Sequence, residues 1–324
     1  GFNEKVFHNV FDRVISLENL FLAWREFKKG KRKRPDVQDF EFNLEDNLFQ
    51  LRHELKNQTY RHGSYASFYV TDPKLRHIHK ATVCDRVLHQ AVFRVLYPIF
   101  DRHFIFDSYS CRLDKGTHRA VNRLETFCRQ LSQNNAKPIF ALKCDIKKFF
   151  DSVDQKILIG LISRKIGDVD AIWLIEKIIK SFPQGLPLGN VTSQLFANIY
   201  LNELDQFIKH KLKEKRYIRY CDDFVILGDD PLYLLKLSEE INSFLADNLK
   251  LSLHPDKIII RQYRQGIDFL GYVVLPYHRV LRTRTKKRLL RRVTGKNIPS
   301  YLGVLRHCRG FRIKQAIERK IYKP

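Results

Sequence analysis

The chain has 324 residues, enough for one large or two to three small lobes with substantial buried cores. Its 59 Lys and Arg against 35 Asp and Glu give a formal charge of +24 and a pI near 9.8, an imbalance that points to a polyanionic partner. No apolar run approaches the roughly 18 residues of a membrane span, which excludes a helical membrane protein and makes the chain read as a soluble cytoplasmic one.

In chain order, residues 10 to 58 carry mainly helical periodicity, interrupted by the basic stretch Lys28 to Arg34 and by Pro35. Alternating aromatics predict a strand from Tyr65 to Val70, and Asp72-Pro73 predicts a turn into Lys74 and Arg76. His77 and His79 lie two apart, but no other His or Cys completes a metal set with them. A helix is expected from Arg86 to about Phe100. Ile139 to Leu142 reads as a short strand that delivers Asp145 at its end. Helices are expected again at Gln155 to Ile166 and at Ala171 to Ser181.

Gly185-Leu186-Pro187-Leu188-Gly189 reads as a loop, and Phe196, Ile199, Tyr200, Leu204, Phe207 and Ile208 then recur at helical spacing. Tyr217 to Tyr220 and Phe224 to Leu227 are strand-like pieces around Cys221-Asp222-Asp223, which puts the paired acids at a hairpin tip. A helix fits Pro231 to Leu249, short strands fit Ile258 to Ile260 and Phe269 to Val274, and a helical basic segment broken at Gly295 and Pro299 follows from Arg282. Helices mixed with antiparallel strands predict an α+β fold. Six cysteines are scattered without zinc-like spacing and read as reduced, mostly buried thiols.

The basic residues gather at Lys28 to Arg34 and along Arg279 to Arg292. Either run alone is as well explained by a solvated face; both together favour a phosphate backbone, with Arg282, Arg284, Lys287 and Arg288 as nucleic-acid contacts. An Asp at a strand end and an Asp-Asp pair at a hairpin tip suit nucleotidyl transfer, in which carboxylates bridge two magnesium ions about 4 Å apart. Taken alone, Asp145 is better explained as a turn or helix-cap residue, and an Asp-Asp pair at a tight turn is unremarkable.

Taken in order, these residues resemble the reverse transcriptases along nearly the whole chain. Lys143 to Asp154 (KCDIKKFFDSVD) is similar to the first catalytic motif of their palm, and Tyr220-Cys221-Asp222-Asp223 to the second. Gly185 to Leu204 resembles the intervening template and nucleotide motif, while Leu251 to Lys257 and Phe269 to Tyr272 resemble the two later palm motifs. The resemblance implies a right-hand polymerase with fingers over 1–135, a palm over 136–275 and a short helical thumb over 276–324. It implies that Asp145, Asp222, Asp223 and the Ile146 carbonyl hold two Mg2+ ions, and that Lys74 and Arg76 hold the incoming dNTP. Phe269 to Tyr272 would join the primer grip. Arg86 and Arg112 also fall on family positions, where a structural role is as fitting. Phe150, five residues after Asp145, falls where the family sets a bulky side chain under the sugar; the alternative is that Phe150 or Phe149 only packs in the core.

Most reverse transcriptases carry Gln-Gly and then Ser-Pro in the middle motif, whereas here Leu188-Gly189 is followed by Ser193-Gln194. That pattern resembles the enzymes of diversity-generating retroelements, which miscopy template adenines. Leu cannot donate or accept the hydrogen bonds of Gln near the nascent pair, although a neutral apolar substitution in an accurate enzyme is the other reading. The resemblance implies a template RNA, its cDNA and primer, and a small basic helical accessory protein forming an oligomeric ring. The rivals are a retron or antiphage-defence reverse transcriptase and a non-catalytic RNA-binding scaffold.

Overall fold

Residues 6–71, 75–295 and 297–321 are described by the structure, a computed structural model. The expected Asp72-Pro73 turn and Lys74 lie outside the described residues. The chain opens with α1 (Val10–Ile15), α2 (Leu17–Phe27), α3 (Pro35–Phe42) and α4 (Leu44–Lys56), followed by the hairpin strands β1 (Ala66–Val70) and β2 (Arg76–Lys80). Then come α5 (Val83–Asp101), α6 (Thr117–Leu131), β3 (Phe140–Asp145), α7 (Phe149–Ser152), α8 (Gln155–Ser163), α9 (Val169–Lys180) and α10 (Val191–Gln206). The strands β4 (Tyr217–Tyr220) and β5 (Asp223–Gly228) precede α11 (Pro231–Leu249), β6 (Ile259–Gln262), β7 (Ile267–Phe269), β8 (Tyr272–Val274) and β9 (Arg279–Leu281). The chain closes with α12 (Thr283–Arg292), α13 (Ile298–Leu305) and α14 (Phe311–Ile321). The strand pairings are antiparallel in all three sheets, so the architecture is α+β as expected.

Two compact units divide these elements, and neither is continuous in sequence. The first takes residues up to 105, 147–207 and 244–252. Its centre is α5 packed against α2 and α10. Leu20, Ala23, Trp24 and Phe27 recur every three or four residues and form the buried stripe of α2, each large side chain contributing about 1.5–3 kcal/mol by leaving water. Thr82 starts α5 by accepting a hydrogen bond from the Asp85 amide on its Oγ1 (3.1 Å). Arg86 pairs with Asp36 (3.0 Å), which is the structural role open to it.

The second unit takes 106–146, 208–243 and residues from 253 onward. Its four-stranded sheet runs β4-β5-β3-β6, with a separate β7-β8-β9 sheet. The helix α6 covers this sheet with Ala120, Val121, Leu124 and Phe127, which join Ala141, Ile218, Val225 and Leu227 from the strands in one core. This helix is absent from the sequence expectations, although its apolar residues at 120, 121, 124, 127 and 128 are a clear helical stripe.

Two local differences have simple causes. The segment Phe269 to Val274 is a hairpin rather than one strand, because Leu270 and Gly271 take left-handed backbone (φ 51 and 89) and reverse the chain. Pro299 sits in the first turn of α13, where the missing N–H has no partner to lose, so it opens that helix. All six cysteines are free, but only Cys128 and Cys144 are fully buried and Cys111 is exposed.

Candidate active site

The acids belong to the second unit. Strand β3 carries Asp145 as its last residue, and the register of the β3–β5 ladder sets Asp145 directly opposite Asp223. Strands β4 and β5 pair up to Tyr220 and Asp223, so Cys221 and Asp222 form the two-residue turn between them. Cys221 has φ 57, the left-handed conformation that such tight turns demand. The buried Arg219 guanidinium donates to the Cys221 carbonyl (3.1 Å) and to Ser108 Oγ (3.1 Å), which holds the turn from beneath. The Ile146 amide donates to the Asp222 carbonyl (3.2 Å), and the His254 amide to the Asp145 carbonyl (2.8 Å). The first bond ties the chain just beyond β3 to the acid-bearing turn, and the second ties the segment that leads to Lys257 to the end of β3.

Two lysines face these acids. Lys257 Nζ lies 2.9 Å from Asp145 Oδ1, and Lys143 Nζ lies 3.6 Å from Asp223 Oδ2 while donating to the Asp268 carbonyl (2.9 Å). The Asp268 carboxylate in turn takes Arg282 as a partner. Burial, with Asp145 next, raises the Asp222 pKa above the usual carboxylate range. Burial also pushes Asp223 up to about 6; Lys143 opposes the shift, Asp145 and Asp222 add to it, and Arg282 opposes it. Clustered carboxylates with too little positive charge raise each other's pKa in this way. Asp223 Oδ1 is buried without a hydrogen-bond partner among the described residues, an acceptor left open to a cation. Hard carboxylate oxygens of this kind fit magnesium. Among the described residues no three His, Cys, Asp or Glu side chains enclose an ion by themselves, and magnesium at phosphate chemistry is typically held by one or two carboxylates together with substrate phosphates and water.

The remaining nucleotide-side candidates belong to the first unit. Lys148 takes φ 44 and starts the short α7, which buries Phe149 to 2% exposure against Tyr200 and leaves Phe150 half-buried. The structure therefore divides the two adjacent rings, one into the core and one toward the surface. The Phe150 carbonyl accepts from the Leu186 amide (2.7 Å). Gly185 (φ +67) is required there, since a Cβ would lie 2.2 Å from that carbonyl. The loop is anchored again where the His79 amide of β2 donates to the Leu188 carbonyl (2.9 Å). Gly189 (φ +121) lets β2 approach, because a Cβ there would meet Ile78 at 3.0 Å. Leu188 is half-buried and Arg76, first in β2, is exposed.

The basic candidates diverge. Arg282 is engaged with Asp268, whereas Arg284 and Lys287 on α12 are exposed and Arg288 is half-buried. Phe269 and Tyr272 are core residues, so the β7–β8 hairpin presents the Leu270-Gly271 turn rather than its aromatics. Sequence reasoning assigned no role to Lys143, Lys257 or Arg219. The first two stand inside the quoted motifs, but only the folded chain brings Lys143 within 3.6 Å of Asp223 and Lys257 within 2.9 Å of Asp145.

Residues 71–274 match the family model described as reverse transcriptase (RNA-dependent DNA polymerase). Protein YkfC of Escherichia coli strain K12 is 26% identical over 280 residues, covering 73% of this chain and 71% of that protein. Group II intron-encoded protein LtrA of Lactococcus lactis subsp. cremoris is 27% identical over 363 aligned positions; the match covers 88% of this chain and 59% of LtrA, so the chain spans less than two thirds of that relative. Among solved structures, apo telomerase from Candida tropicalis truncated from its C-terminal domain aligns at 14% identity and a TM-score of 0.48, over 68% of this chain and 55% of that one. Among the described residues no helix is long and apolar enough to cross a membrane.

Proposed function

This chain belongs to the reverse transcriptase family, and from that premise we propose that it copies RNA into DNA with Asp145, Asp222 and Asp223 as its catalytic acids. The observation that carries the reading is the pairing of Asp145 opposite Asp223 with Asp222 in the adjoining turn. Two of these acids sit at paired strand ends and the third in the turn that joins β4 to β5. Magnesium held by these acids and the Ile146 carbonyl would activate the primer 3′-hydroxyl and neutralise the departing pyrophosphate. Lys143 and Lys257 keep the acid cluster from excessive mutual repulsion. Lys74 and Arg76 neutralise the triphosphate, Phe150 closes the space beneath the sugar against a 2′-hydroxyl, and Leu188 and Gly189 border the nascent pair. Arg284, Lys287 and Arg288 track the nucleic-acid backbone, with Arg282 fixing the start of α12 through Asp268. In this reading residues 1–135 serve as fingers, 136–275 as palm and 276–324 as thumb.

Primer extension on an RNA template with dNTPs and magnesium tests the proposal. Wild-type protein should make cDNA and Asp222→Asn should not; synthesis by a pure Asp222→Asn preparation would overturn the assignment.

The finer reading is an adenine-mutagenic polymerase of a diversity-generating retroelement, working on a template-repeat RNA with a basic ring-forming accessory protein. It is supported by Leu188-Gly189 followed by Ser193-Gln194. A second reading, a polymerase allied to mobile introns, is favoured by the similarity to the intron-encoded LtrA. The error spectrum separates them, since only the first calls for errors concentrated opposite template adenine.

A further inference from the structure

At the end of β3 remote from Asp145 the second unit contains a hollow of about 340 Å3, lined among others by Lys137, Ile139, Tyr263, Arg264, Leu275 and Tyr277. Ile139 in its lining lies six positions before Asp145, roughly 20 Å along the chain at the rise of a β-strand. One wall is the turn joining β8 to β9, closed by the Leu275 amide donating to the His278 carbonyl (2.9 Å). Tyr263 Oη donates to the Leu275 carbonyl (3.1 Å), and Asn135 Nδ2 donates to the Pro276 carbonyl (3.0 Å). The opposite wall is the loop after α6, where Ser132 Oγ accepts from the Asn135 amide (2.9 Å) and the Ser132 carbonyl from the Lys137 amide (2.9 Å). Both walls are therefore preorganised, which removes much of the ordering cost of binding.

The chemistry of the hollow is specific. Tyr277, 81% exposed, lines the hollow together with the apolar Ile139 and Leu275. Lys137, Arg264 and His278 stand around it, and none of its described lining residues is acidic. A flat apolar ring carrying negative charge on both sides matches this arrangement. An acidic peptide matches the charge but has no use for the stacking platform.

We infer that this hollow binds an unpaired nucleobase of single-stranded RNA, stacked on Tyr277 with its flanking phosphates against Lys137, Arg264 and His278. The site anchors RNA away from the chemistry, and sequence-tolerant stacking with backbone charge is the usual physics of such contacts. It rests on the polymerase reading only for the class of partner.

The test uses the full chain and a labelled single-stranded RNA bearing photoreactive uridines. Tyr277→Ala and Arg264→Ala should each weaken binding about tenfold, Tyr277→Phe should retain wild-type affinity because the ring remains, and crosslinks should map to residues 263–278. Extension of a short pre-annealed primer–template should be unchanged in all three. Wild-type affinity in both alanine variants, an absence of crosslinks there, or displacement of RNA from the segment by polyglutamate but not by unlabelled RNA would overturn the site. A chain that makes no cDNA yet loses RNA affinity in Tyr277→Ala would overturn the polymerase reading and leave this one standing.

Discussion

Asp145 and Asp223 face each other across the β3–β5 ladder, 78 positions apart in sequence and directly opposed in register. Antiparallel partners have Cβ atoms about 5 Å apart, so two carboxylates on one face repel unless cations stand between or beside them. Lys143 and Lys257 take part of that load.

Asp222→Asn should lower primer extension at least about a thousandfold while leaving RNA affinity within about twofold, because it removes a charge at constant volume. Parallel extension and filter-binding measurements check both halves. Equal loss of binding and extension would mean that the turn is needed for structure rather than chemistry.

The two phenylalanines of α7 should behave oppositely. Phe149→Ala empties a fully buried position and should cost about 3–5 kcal/mol in urea unfolding. Phe150→Ala should cost far less and should raise incorporation of rGTP relative to dGTP. Unaltered sugar discrimination would reduce Phe150 to a packing residue.

Salt dependence distinguishes the basic residues of the C-terminal segment. Each phosphate that a cation neutralises adds about 0.7–0.9 to the log–log salt slope of RNA binding, so replacing Arg284 and Lys287 by Ala should make that slope shallower by about 1.4–1.8. Arg282→Ala removes the Asp268 pair and should chiefly lower stability, with little change in slope.

His89 gives a pH signature in the first unit. It is buried, with its Nε2 3.1 Å from His62 Nε2; burial, then the neighbouring His62, lowers its pKa below the ordinary imidazole value, against the opposing pull of Asp85. The unfolded chain therefore takes up a proton near pH 6.5 that the folded chain refuses. Stability present above about pH 6.5 should fall below it, by up to about 1.4 kcal/mol per pH unit. Urea unfolding between about pH 7 and 5 should show a shallower pH dependence in His89→Gln; equal slopes would show that His89 is not the proton-linked group.

If Leu188 stands in for a hydrogen-bonding Gln, wild-type cDNA should carry errors concentrated opposite template adenine, and Leu188→Gln should reduce them several-fold, about 1 kcal/mol of selectivity. Deep sequencing of cDNA from an RNA of known sequence, with any accessory protein supplied, reads both. Uniform low error in the unmodified protein would favour the intron-allied reading.

Much of this was legible in the sequence because it is local. The short apolar run that leads to Asp145, the turn at Cys221-Asp222 and the helical stripe from Phe196 to Ile208 each depend on neighbours within a few residues, where backbone geometry and side-chain periodicity act directly. Composition alone called for a polyanion. What only the tertiary structure decided is which distant groups meet. Phe149 and Phe150 are the same residue side by side, and packing against Tyr200 sends one inward. That Arg282 pairs with Asp268, 14 positions away, is not written in the basic run that contains it. The hollow beside Tyr277 is assembled from three segments around residues 135–139, 263–264 and 275–278. Charge and periodicity are written along the chain, whereas register and pairing arise when the sheet closes and brings segments remote in sequence within hydrogen-bonding distance.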